Sequence, residues 1–269
     1  MGAWRWELVR DGTDLFPPGI LVCAGVPDEE AGPALAGVVD DNGLISFPYG
    51  CLLARGEGEV VLADSGTGTL GPGRGGGHLE DALARAGVTA EEVTVVVLTH
   101  LHVDHIGGVV ADGKPRFPNA RHVVTATEWS FWTSGAAVGR APDVMLAAID
   151  QVLPVLSDAG VVELVDDDAE LAPGLRLVPA PGHAPGQVAV ELEGDDGVLF
   201  LADAVIHPLH FARLDWGTAG DSDSPQMRET RQRLLGRAAD EGLRVTASHL
   251  WGPGRVERDG AAFRFLPDG

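Results

Sequence analysis

Apolar and polar positions change period several times along the chain, and each change marks an element. Residues 4–9, 20–24, 44–47, 51–54 and 60–63 are short apolar runs punctuated by Gly and Pro, which predicts strands and hairpins. Between them, 27–42 is small, acidic and Gly-rich and reads as a surface loop, and the Gly-rich span 64–77 reads as a mobile loop. Helical spacing begins at 79–86, and Thr89 to Glu92 spells a Thr-x-x-Glu capping box. The β-branched run 93–98 predicts a buried strand. Further strands are expected at 121–125, 161–165, 175–178, 188–192, 198–201 and 243–247, with a closing hairpin over 255–265. Helices are expected at 127–132, at 142–156 with Pro142 in the first turn and a break at Pro154, and from a Ser224-Pro225 cap to about Asp240. This order is neither strict β-α alternation nor all-β. Two mixed sheets, each with helices on one face, account for it. No repeat and no low-complexity linker divides the chain, so residues 1–269 are expected to form a single domain.

Composition narrows the partners. The 269 residues are 45 % apolar and 22 % charged, ordinary for a globular protein. No apolar run approaches the roughly 20 residues of a membrane span. The first ten residues lack a signal-peptide core, which predicts a cytoplasmic protein without membrane attachment. Nineteen basic against 40 acidic residues leave a net charge of −21, and Lys114 is the single lysine. That balance disfavours nucleic acid and suits a small neutral or cationic substrate or a divalent metal. Cys23 and Cys51 lie on separate apolar runs and read as buried thiols.

Candidate chemistry gathers at strand ends. Directly after 93–98 comes Thr-His-Leu-His-Val-Asp-His, residues 99–105. His100 and His102 are two apart and share a side of an extended chain; Asp104 and His105 follow a turn and can serve a second point. His183 sits in the tight turn 181–186, Asp203 follows the strand at 198–201, and His249 follows that at 243–247. Five imidazoles and two carboxylates are a donor set for two close first-row metal ions sharing a bridging carboxylate. His78, His122 and His210 have no such support, whereas His207, four residues beyond Asp203, is expected in the substrate pocket. Trp129, Phe131 and Trp132 suit core or lid packing better than substrate stacking. No Lys-Ser/Thr follows the Gly-rich span, so it is not a P-loop.

H-x-H-x-D-H, a Gly-His turn, an Asp and a late His, in this order across residues 64–249, resemble the metallo-β-lactamase fold superfamily. The resemblance implies an α/β fold, a four-layer αββα sandwich with the site at one edge of its two sheets. It also implies that His100, His102 and His183 hold one metal, that Asp104, His105 and His249 hold the second, that Asp203 bridges, and that Asp64 supports the site from behind. Two divalent ions are expected, zinc ahead of manganese, iron and cobalt. Gln187 stands where many relatives carry another His, beside the ligand set. The implied activity is hydrolysis of an ester, lactone or phosphotriester of a small molecule by a hydroxide shared between the metals, with Asp104 passing the proton and His207 near the substrate. Residues 203–216, 221–235 and 248–256 resemble the lactonase and organophosphate-hydrolase branch. Quorum-signal lactonases of that branch use a Tyr soon after the bridging Asp; Ile206 occupies that region and the chain's one tyrosine is Tyr49, which points to a broader hydrolase. A thioesterase or glyoxalase-II-type hydrolase is the alternative. Nuclease, β-lactam hydrolase, persulfide dioxygenase and non-catalytic binding protein weigh less. A homodimer is a family-level expectation.

Overall fold

The structure, a computed structural model, describes residues 4–268 apart from 72 and 74. Its first sheet is built from β1 (Arg5–Phe16), β2 (Ile45–Gly56), β3 (Glu59–Ala63), β4 (Val95–Val97), β7 (Arg121–Thr125) and β8 (Val162–Val165), in that spatial order, with the small hairpin of β5 (Val110–Ala111) and β6 (Lys114–Pro115) outside it. The second runs β15-β14-β13-β12-β11-β10-β9, from β9 (Glu170–Ala172), β10 (Leu175–Pro179), β11 (Val188–Leu192), β12 (Val198–Phe200), β13 (Arg244–Thr246), β14 (Gly254–Asp259) and β15 (Ala262–Pro267). Pairing is parallel from β3 through β4 and β7 to β8, and again between β12 and β13.

Alternation of side chains on the central strands builds the layers. Val95 and Val97 of β4 point into a core shared with Leu177, Val190 and Phe200 of the other sheet. Val96 and Leu98 point the opposite way, into a core covered by α3 (Leu79–Arg85), α5 (Ala126–Thr133) and α6 (Asp143–Asp158). On the far side, Leu199 and Val245 pack under Met227, Leu234 and Ala238 of α8 (Ser224–Glu241). Helices, sheet, sheet and helix therefore stack as the expected αββα sandwich. Strands buried on both faces explain why 93–98 lacks polar alternation.

Several local expectations change. Residues 20–24 are not a strand: Pro18 seeds one helical turn, α1 (Pro18–Leu21), and Val22 and Cys23 turn inward against Ile45 and Trp216. The acidic loop holds α2 (Asp28–Leu35), whose first turn carries three acids. Residues 44–47 and 51–54 belong to one continuous strand, β2. Pro154 leaves α6 unbroken: Pro154 and Asp150, whose carbonyl it deprives of a partner, are both exposed residues, while Val152, Leu153 and Leu156 stay buried. Asp223, not Ser224, caps α8, its carboxylate accepting from the Gln226 N–H at 2.9 Å. The capping box at Thr89 and Glu92 forms as expected. Both cysteines are free and buried.

His122 on β7 is fully buried, and neither ring nitrogen meets the geometry of a hydrogen bond among the described residues. Burial lowers its pKa from 6.5 to about 4, with the Ala120 backbone offsetting a little. Because the folded pKa is depressed, the unfolded chain takes up a proton that the native state refuses between pH 6.5 and about 4, so stability falls as pH falls through that window. The shift corresponds to about 3 kcal/mol. Urea unfolding at pH 7 and pH 4.5 should show a smaller acid loss in His122→Leu than in the parent; equal losses would contradict this.

Candidate metal centre

Strand ends deliver the site. Residues 99–105 follow β4, His183 follows β10, Asp203 follows β12 and His249 follows β13, so the two sheets present their side chains at one edge, where open α/β sheets bind ligands. Asp64 follows β3 with φ of 64°, and Ala202, before Asp203, has φ of 46°. Both are left-handed conformations unusual for residues with a side chain, and they bring two carboxylates to opposite edges of the His105 ring.

Donor atoms fall into two groups. His100, His102 and His183 form one, and Asp104, His105, Asp203 and His249 the other, with the donors of each within 4.8 Å of one another. His102 Nδ1 and His183 Nε2 are 2.9 Å apart. Asp203 stands between the groups: Oδ2 lies 3.3 Å from His183 Nε2 and 4.0 Å from His100 Nε2, while Oδ1 lies 3.3 Å from His105 Nε2 and 3.1 Å from His249 Nε2. Asp104 Oδ2 is 3.7 Å from His105 Nε2 and 3.5 Å from His249 Nε2. All seven sequence-expected donors meet here.

The opposite edges of the rings are fixed. His105 Nδ1 donates to Asp64 Oδ2 at 2.8 Å, His183 Nδ1 to Asp221 Oδ1 at 2.8 Å, and His249 Nδ1 to the Pro48 carbonyl at 2.7 Å. Asp64 also accepts from the Thr99 N–H and hydroxyl, both at 2.9 Å. These bonds turn Nε2 of each ring toward the cavity. There the Nε2 atoms of His100, His105 and His249 and Oδ1 of Asp203 are buried, with no hydrogen-bonding partner among the described residues. Four convergent buried polar atoms without partners would be costly in a finished protein, and divalent cations satisfy that donor set. The residues fit two such ions.

Electrostatics agree at Asp203, His100 and His102. Burial would raise the Asp203 pKa, but attraction from His249 and His105 outweighs it and holds the carboxyl well below its usual range. Burial first, then neighbouring imidazoles, holds His100 and His102 well below the usual value, so both are neutral and able to ligate. Asp221 is likewise held low by His183 against the opposing effect of burial.

A cavity of about 990 Å³ opens onto these atoms. Ile20 and Leu21 of α1, Phe131 and Trp132 of α5, and Ile206 with Thr218 line it from three separate stretches of the chain, and Arg140 brings a cation to its wall. Tyr49 also lines it and donates to Asp14 Oδ2 at 3.0 Å; burial, then Asp104 and Asp14, keep its phenol well above the usual pKa and neutral. Trp132 serves both as packing and as wall, whereas Trp129 packs on the outer core. His207 is not brought to this cavity. It lines a second one of about 560 Å³ with Trp251 and Phe265, and its Nδ1 accepts from the Leu209 N–H at 3.2 Å, because the turn after Asp203 carries it to the far side of His249.

Sequence reading missed three supports. Asp221 opens an Asp-Ser-Asp at 221–223 that carries no local signal of its role. Glu128 accepts from the Leu101 N–H, the Trp132 indole and the Gly186 N–H. Asp11 takes the N–H groups of Thr67, Gly68, Gly77 and Leu79, so the Gly-rich span expected to be mobile is anchored at both ends. Each acts through contacts distant in sequence.

Comparison with known proteins places this arrangement. An N-acyl homoserine lactonase of Bacillus thuringiensis is 27% identical over 181 residues, 60% of this chain and 65% of the relative, so the chain spans just under two thirds of that relative's length. Among solved structures, the hydrolase AbOPH of the beta lactamase superfamily superposes with a TM-score of 0.89 at 23% identity, over 99% of this chain and 94% of the other, a likeness of fold. AidC, a dizinc quorum-quenching lactonase bound to a product, N-hexanoyl-L-homoserine, superposes with a TM-score of 0.85 at 25% identity, over 100% and 95%. Residues 48–249 match the family described as the Metallo-beta-lactamase superfamily, and this chain belongs to it.

Proposed function

We propose that the protein is a metal-dependent hydrolase that opens a lactone of a small molecule. Asp203 carries the reading: its two oxygens address two separate donor groups at the floor of a cavity with mostly apolar walls. His100, His102 and His183 would hold one cation, Asp104, His105 and His249 the other, and Asp203 both, with zinc the ion suggested by the dizinc neighbour. Bound there, two divalent cations supply Lewis acidity toward a carbonyl oxygen and lower the pKa of a water.

The chain's own groups do the rest. Phe131, Trp132, Ile20 and Leu21 exclude water and hold the apolar part of the substrate against the floor. Asp104 lines the cavity with Oδ2 turned to His105 and His249, leaving Oδ1 to accept a proton from the attacking water and return it to the ring oxygen. Water oxygen joins the carbonyl carbon, the carbon–ring-oxygen bond breaks, and the hydroxy acid leaves. The lactonase relatives restore the lactone branch that the missing tyrosine had counted against. Zinc-loaded protein assayed on a lactone, an aryl ester, a thioester and a phosphotriester should give the lactone the highest kcat/KM. A thioester preference would favour the glyoxalase-II-type alternative, and no turnover of any of the four would overturn the proposal.

A further inference from the structure

Glu128 is a fully buried carboxylate on α5 that, among the described residues, is hydrogen-bonded to none of the donor side chains. Its three partners nevertheless frame one donor group. Oε1 accepts from the Leu101 N–H at 3.0 Å, the peptide between His100 and His102, and from the Trp132 indole N–H at 2.7 Å. Oε2 accepts from the Gly186 N–H at 2.9 Å, three residues beyond His183. Gly186 is gripped from its other side as well, its carbonyl accepting from Thr125 Oγ1 at 2.8 Å. A Cβ on Gly186 would stand 2.2 Å from the Glu128 nitrogen, so the turn carrying His183 presses directly on the start of α5.

One carboxylate therefore ties a loop of the first sheet to a loop of the second, and those loops carry the three-histidine group. His102 depends on this most. His105, His183 and His249 each have a hydrogen-bonded partner on the ring edge away from the cavity. Among the described residues His102 has none; its ring packs edge-on against Trp132, centroids 5.8 Å apart, and Glu128 fixes that indole. Outer groups that orient ligands commonly decide metal affinity.

We propose that Glu128 is the positioning residue of the three-histidine group, setting His102 and His183 at the separation that lets them share a divalent cation. The proposal rests on the reading of that group as a metal site. In Glu128→Gln one of the two oxygens becomes an NH2 that must face an N–H donor, so at least one of the three bonds is lost at constant volume.

The test is metal binding by the full-length protein, independent of turnover. Wild-type protein loaded with cadmium-113 should give two resonances, one for each donor group. Glu128→Gln should shift or broaden one of them and weaken that site by about 10–100-fold in competition with a chelator, leaving the other unchanged. Both sites unaffected, or both weakened in parallel as a merely structural role requires, overturns the proposal. If Glu128→Gln does not fold, Trp132→Phe decides, since it deletes one donor and keeps the ring. It should weaken the same site selectively by less than about tenfold, and no loss or an equal loss at both sites overturns the proposal. Wild-type protein that takes up no cadmium overturns the metal reading itself, and the proposal with it.

Discussion

Asp203→Ala is expected to lower kcat/KM for the lactone by at least about 10³-fold, roughly 4 kcal/mol of transition-state stabilisation. Its metal content should fall with it. Asp203 reaches both donor groups: Oδ1 meets His105 and His249 within 3.3 Å, and Oδ2 meets His183 at 3.3 Å. Without the carboxylate, two dications would sit close together with no shared side-chain anion between them, and their repulsion would weaken binding at one position. Asp203 is buried, so water replaces it poorly. Circular dichroism should show an intact fold, because among the described residues Asp203 accepts from no backbone N–H and caps no helix. A variant holding two ions with near-parental turnover would contradict the bridging role.

Asp11→Ala should be the largest stability change. Four backbone N–H groups, of Thr67, Gly68, Gly77 and Leu79, converge on this one carboxylate, and the Thr67 hydroxyl adds a fifth donor. Asp11 is 1% exposed, so most of those donors would be left unpaired. At about 1–3 kcal/mol for each buried unsatisfied donor, partly relieved by water, a loss of about 4 kcal/mol is expected. For a chain of this length that lowers Tm by about 10 °C. The effect should reach the site, since Ser65 at the head of the anchored span donates through its N–H and its hydroxyl to the His105 carbonyl, both at 2.8 Å. Differential scanning calorimetry measures the first effect and second-site metal affinity the second. A Tm within 2 °C of the parent, on the same scale, would show that the span needs no anchor.

Much of the site was legible because its donors cluster in short motifs at the ends of apolar strands. Residues 99–105 announce themselves, and His183, Asp203 and His249 each follow a run that can only be a buried strand. Asp64 was readable by resemblance and does hold His105. What stayed hidden acts across the fold. Asp11 sits on the first strand yet serves residues 56 to 68 positions later, and Asp221 reaches His183 over 38 positions. Glu128 carries no signal in its local sequence, yet its carboxylate lies beneath two loops. His207 misled for the opposite reason. Its spacing from Asp203 suggested the pocket, but the turn between them carries it to a different cavity. Secondary structure followed the same division. Runs buried on both faces were found within a residue or two, whereas the short apolar run at 20–24, next to prolines, suited a helical turn as well as a strand.

The central claim is that the two donor groups hold divalent cations and that lactone opening depends on them. Protein stripped by a chelator, dialysed and titrated with zinc measures this directly when metal content and lactone turnover are followed together. Turnover should be lost in the stripped protein, return as zinc binds, and level off at two ions per chain, one for each donor group. Full turnover in the stripped protein, or zinc binding without any return of activity, would contradict the account.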